Sequence, residues 1–164
     1  MCDLGAIWAQ VFGADVYHAP PGSSRPSFAA VVSSMDRLLA CYHTSVCAQP
    51  ARLEIIEQME ALAAKHIRRF YEVNGGLAPR RIIVYRDGVG ISQFPAIGAT
   101  ELRAIRRACR TVGGEAYRPT LTFIIVQKRN HCRLFSHTPG LTDRRGAPKE
   151  CTSTTLTRRA SRLG

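Results

Sequence analysis

Acidic residues are scarce in this chain: 12 Asp and Glu stand against 23 Lys and Arg, a formal net charge of +11. Each acid in an apolar setting is therefore informative, because a carboxylate beside buried surface is costly unless it is paired or binds a cation. Cysteine pairs are also missing. Cys2, Cys41, Cys47, Cys109, Cys132 and Cys151 contain no CxxC spacing, which disfavours a zinc site or a disulfide framework and favours reduced thiols. No apolar run approaches the ~20 residues of a membrane-spanning helix. The opening MCDLGAIWAQ carries an acid and lacks a basic leader, unlike a secretory signal. The expectation is a soluble intracellular protein with no membrane partner, cytoplasmic, the nucleus being the alternative compartment.

A chain of 164 residues is long enough for one domain with a core. Its 45% hydrophobic and 21% charged content excludes wholesale disorder. The positive charge points to a polyanionic partner, nucleic acid ahead of an anionic membrane. Arg supplies 20 of the 23 basic residues. That bias suits bidentate phosphate contacts, and a GC-rich coding sequence would produce it equally well.

Apolar patterning predicts strands over residues 11–16, 27–35, 41–48, 81–85 and 121–128, the second and third pairing antiparallel. YHAPPGSSRP, residues 17–26, reads as a loop. Ile55, Ile56, Met59, Leu62, Ala63, His66 and Phe70 recur at helical steps and predict a helix over 51–73, ended by Gly75 and Gly76. Leu102, Ile105, Ala108 and Cys109 predict a second helix over 101–111, with Arg103, Arg106, Arg107 and Arg110 on its solvated side. The order β-β-β-α-β-α-β implies a mixed sheet with helices on its faces. Ligands of such sheets gather beyond the carboxyl ends of parallel strands. Asp15 and Asp87 fall at strand ends in this reading, which is the ribonuclease H-like arrangement and suggests a divalent-metal site facing a phosphodiester.

GADVYHAPP (13–21), SFAAVVSSMD (27–36), LEIIEQM (53–59), RIIVYRDGV (81–89), ELRAIRRAC (101–109) and YRPTLTFIIVQKRNHCRLF (117–135) resemble, in order and spacing, the Piwi domain of the Argonaute family. The resemblance covers about residues 11–135, leaving 1–10 as a lead-in and 136–164 as a basic tail expected to be disordered. It implies an Asp-Glu-Asp catalytic set at Asp15, Glu54 and Asp87, with Asp15 and Asp87 as ligands of Mg²⁺ or Mn²⁺ and Glu54 delivered by a loop. Two such ions about 3.5–4 Å apart activate a water and stabilise the leaving oxygen. It further implies guide small RNA and target RNA as partners, protein partners in silencing complexes, and small-RNA-guided endoribonucleolytic cleavage in RNA-mediated gene silencing (RNA interference).

Arg52, Gln127, Lys128, Arg129 and Arg133 are the expected nucleic-acid contacts. Tyr17 stands beside Asp15 where the family pattern suggests a smaller residue, which would crowd the site. The fourth catalytic residue and the final helices find no match, and RRGAPKECTSTTLTRRASRLG reads as read-through sequence. Two further readings stand beside guided cleavage. One is an inactive truncated product that only binds RNA or a protein partner; the other is a stand-alone ribonuclease H-type nuclease, which needs a further ligand near Asp15.

Overall fold

The computed structural model describes residues 8–126. Five strands, β1 (Ala9–Tyr17), β2 (Ser27–Ser34), β3 (Tyr42–Gln49), β4 (Arg81–Asp87) and β5 (Thr120–Val126), form one sheet in the order β3-β2-β1-β4-β5. The β3-β2-β1 half is antiparallel, whereas β1-β4 and β4-β5 are parallel. Helices α1 (Met59–Val73) and α2 (Phe94–Gly113) supply the crossovers, with a short 3₁₀ turn, Ile91–Gln93, leading into α2. This is the expected element order and mixed sheet. β1 begins at Ala9, inside the stretch expected as a lead-in. The described residues include no helix long and apolar enough to cross a membrane.

Strand parity decides where the core lies, because successive side chains alternate between faces. Phe12, Ala14 and Val16 of β1, Ala29 and Val31 of β2, and Ile82 and Val84 of β4 are buried together with Met59, Leu62, Ala63 and Ile67 of α1 and Ala104, Ile105 and Ala108 of α2. Both helices therefore pack on one face of the sheet. The opposite face carries Asp15, Ala30, Val32, Thr44, Tyr85 and Val126 around a concavity of about 390 Å³.

Two element boundaries differ from expectation. α1 starts at Met59 rather than near residue 51, because Arg52 takes a left-handed φ of 62° and several backbone groups over residues 52–56 are bonded to side chains elsewhere. Gln49 Nε2 donates to the carbonyls of Leu53 (2.5 Å) and Ile55 (3.1 Å), and Ile56 N–H donates to Glu101 Oε1 at 3.0 Å. With those groups already paired, the helix has nothing to gain by starting earlier. α2 begins at Phe94 rather than 101, with Pro95 in its first turn, where a missing N–H costs nothing. α1 ends before Gly75 and Gly76 as expected, with φ of 63° and 84° at the two glycines, and α2 runs two residues past the expected 111, to Gly113, where Gly114 takes a φ of 73°.

A polar network runs through the helix-covered side. His66 is fully buried, with Nδ1 2.7 Å from Ser33 Oγ and Nε2 3.1 Å from Ser45 Oγ; Gln10 Nε2 donates to Ser33 Oγ and to the His66 carbonyl. Burial, reinforced by nearby His43 and Lys65, pushes the His66 pKa from 6.5 down to about 4. The folded chain thus keeps this ring neutral where the unfolded chain protonates it. Its contribution to stability is complete above pH 6.5 and is lost as pH falls toward 4, a change of about 3 kcal/mol for full titration. Urea unfolding across that range should show stability falling with pH, and the slope should flatten in His66→Gln.

Candidate functional site

Register places the two aspartates. Gly13 pairs with Tyr85 and Ala14 with Arg86 on the neighbouring parallel strands. The next step along both strands brings Asp15 beside Asp87, and parity turns both toward the open concavity, which both line. Asp87 ends β4 as expected, while Asp15 lies within β1, opposite Ala30 of β2. Each carboxylate is oriented locally: Asp15 Oδ1 accepts from Val16 N–H and Asp87 Oδ1 from Gly88 N–H, both at 2.8 Å.

Gly88 brings the third acid into the same place. Its φ is 83°, and a Cβ there would lie 3.0 Å from Asp15 Oδ1 and 3.9 Å from Glu54 Oε1. Glu54 sits in the loop before α1, not on the helix, and its side chain is 14% exposed. Arg86 Nη2 donates to Glu54 Oε1 at 2.9 Å and to the Glu54 carbonyl at 2.6 Å, while His18 Nε2 lies 2.7 Å from Glu54 Oε2. His18 Nδ1 in turn lies 2.8 Å from Ser27 Oγ, which accepts from Arg52 N–H at 2.9 Å. The loop is therefore pinned from two strands with its carboxylate at the edge of the aspartate pair. Gly88→Ala should cost about 1–2 kcal/mol from the left-handed backbone alone, and the added methyl should also displace Asp15. A lower melting temperature together with weakened Mn²⁺ binding would register both effects.

Arg86 anchors this arrangement from below. Its side chain is 0% exposed, its Nε donates to Glu101 Oε2 at 3.2 Å, and its Nη1 donates to the Asp87 carbonyl. Glu101 is also 0% exposed. Burial pushes its carboxyl above the usual range, opposed by the Arg86 guanidinium and the Ile56 N–H. His18, Arg86 and Glu101 were not singled out from sequence. The signals were present: Arg86 continues the inward parity of Ile82 and Val84, and Glu101 is the single acid of α2, one turn before Ile105.

The other expected contacts divide. Arg52 is exposed in the same loop with φ of 62°. Tyr17, expected to crowd Asp15, is 63% exposed and does not line the concavity. Gln127, Lys128, Arg129 and Arg133 lie outside the described residues, as does the tail over 136–164. Three arginines of α2 have partners within the protein: Arg107 pairs with Glu60 of α1 at 2.6 Å, Arg110 with Glu115 at 3.7 Å, and Arg103 donates to the Ala99 carbonyl. Cys41, Cys47 and Cys109 are unpaired thiols.

Among the described residues, no three His, Cys, Asp or Glu side chains converge on one metal position. The donor set nonetheless suits a hard divalent cation. Asp15 and Asp87 present carboxylate oxygens on the open face, Glu54 is held close by, and Gly88 leaves unfilled the space a side chain would take.

A family model described as the Piwi domain matches residues 4–157. Rice protein argonaute MEL1 is 43% identical over 155 residues, covering 83% of this chain and 14% of that protein. Rice protein argonaute 11 is 43% identical over 140 residues, covering 76% and 16%. The chain thus spans about one-seventh of the length of these curated relatives. Among solved structures, the Kluyveromyces polysporus Argonaute with a guide RNA superposes with a TM-score of 0.72 at 27% identity, covering 85% of this chain and 17% of that one. The MID-PIWI domains of N. crassa QDE-2 AGO superpose with a TM-score of 0.62 at 28% identity, covering 72% and 34%. A mixed five-stranded ribonuclease H-like sheet, two aspartates in register at its parallel strands and this family match lead to one assignment: the chain belongs to the Piwi domain family.

Proposed function

We propose that this chain is an RNA-binding Piwi region whose Asp15, Asp87 and Glu54 belong to a small-RNA-guided endoribonuclease site of gene silencing. The observation that carries the reading is the β1–β4 register, which sets two carboxylates side by side on an open face with a third held at their edge. A Mg²⁺ or Mn²⁺ ion bound by Asp15 and Asp87 would supply Lewis-acid activation of water and of the scissile phosphate. The chain's own residues do the positioning. Asp15 and Asp87 are fixed by strand pairing, and Arg86 and His18 hold Glu54 against charge repulsion from them. The net charge of +11 favours a phosphodiester partner, and one structural relative carries a guide RNA.

A second reading, RNA binding without cleavage by this chain alone, is favoured by the lack of a three-ligand cluster among the described residues. Fluorescence anisotropy with single-stranded RNA and a cleavage assay on a guide-paired RNA in Mg²⁺ separate the two. The expected outcome is salt-sensitive binding that survives Asp15→Ala, with no detectable cleavage. Robust cleavage that disappears in Asp87→Ala would overturn the second reading in favour of an autonomous nuclease. Loss of RNA binding in Asp15→Ala would contradict the separation of binding from chemistry.

A further inference from the structure

A second cavity, about 250 Å³, opens between β3 and α1 and is lined by His43, Lys65, Arg68, Arg69 and Glu72. It lies on the helix-covered side of the sheet. His43 pairs with buried Ser33, whereas its neighbour Thr44 lines the aspartate concavity, so the two side chains leave β3 in opposite directions. Nothing in the proposed endoribonuclease chemistry uses this cavity.

Its charges are unbalanced. Arg69 meets Glu72 at 3.3 Å on the same helix. Lys65 and Arg68 have no acidic partner among the described residues, and Lys65 Nζ donates to a neutral acceptor, Ser45 Oγ, at 3.3 Å. Cations at positions 65, 68 and 69 occupy one helical stripe, where like charges three and four residues apart repel. His43 lines the wall of the same cavity. The His43 ring packs on that of His66, 4.8 Å between centroids, so the buried network beneath fixes the wall.

We propose that this cavity is a phosphate-oxyanion site, with Lys65 and Arg68 supplying the charge and the His43 ring forming its wall. An anion there would relieve the repulsion along α1 and add charge-assisted hydrogen bonds from a guanidinium suited to phosphate. The same chemistry is offered by a phosphodiester of RNA and by free phosphate.

Isothermal titration of the full chain with inorganic phosphate at low salt tests the proposal, with Arg68→Ala and Lys65→Met compared against Arg103→Ala as a charge-matched control. Lys65, Arg68 and Arg103 are all exposed, so melting temperatures should stay close to that of the parent chain. The expected result is saturable binding, weakened about tenfold or more in each cavity variant and within about twofold of the parent in the control. Equal weakening in all three variants, or none in Arg68→Ala, would overturn the site. The source then follows from RNA binding at several salt concentrations. If Arg68→Ala lowers the salt slope by about one, the ligand is an RNA phosphodiester. An unchanged slope alongside lost phosphate binding identifies free phosphate.

Discussion

Replacing Arg86 with methionine should remove about 3–5 kcal/mol of stability, because one partner of a buried ion pair is then left without its counter-charge. Arg86 and Glu101 are both 0% exposed, and Arg86 also donates to the carbonyls of Glu54 and Asp87. Methionine fills similar space but satisfies none of these acceptors. The ion pair itself is no large net gain over well-packed apolar side chains: burial raises the Glu101 carboxyl despite the guanidinium beside it. What costs free energy is removing one partner alone. The double variant Arg86→Met, Glu101→Leu should therefore recover part of the loss in urea unfolding. It should not restore the two Arg86 Nη2 hydrogen bonds to Glu54 in the loop before α1. A loss below about 1 kcal/mol in Arg86→Met would show that this guanidinium does not hold the site together.

The second large effect is expected at the aspartates. Substitutions of outer-shell partners typically cost 10–100-fold in metal affinity, so neutralising a proposed direct ligand should cost at least about tenfold. Asp15→Asn and Asp87→Asn conserve volume and retain an oxygen, but each takes away one negative charge from a pair set side by side by the β1–β4 register. Glu54→Gln should weaken binding less. Its charge is already balanced by Arg86 at 2.9 Å and met by His18 at 2.7 Å, so little of its field reaches an ion in the concavity. That ordering, with both aspartates well above Glu54, separates direct ligands from a carboxylate held at the edge.

The strands were legible because their signal is local: alternating apolar residues in β1, β2 and β4 mark the buried face directly. Asp15 and Asp87 were legible for a related reason, each breaking an apolar run in a chain poor in acids. The start of α1 was not. Helical periodicity extends back through Ile55 and Ile56, yet the Glu54 carbonyl is bonded by Arg86 and the Ile56 N–H by Glu101, 32 and 45 positions away. A local pattern carries no information about such partners. The same distance hid the roles of His18 and Arg86, whose contacts with Glu54 cross 36 and 32 residues of sequence. Parity alone announced that Arg86 points inward, and the solitary acid on the buried stripe of α2 announced its partner.

The proposed function rests on Asp15 and Asp87 forming one divalent-cation site on the open face of the sheet. Titration of the chain with Mn²⁺, followed by the electron paramagnetic resonance signal of the unbound ion, tests it most directly. The parent chain should bind Mn²⁺ saturably. Asp15→Asn and Asp87→Asn should each bind at least about tenfold more weakly with unchanged urea midpoints, and Arg103→Ala should bind as the parent does. Equal Mn²⁺ affinity in the parent and both aspartate variants would contradict it.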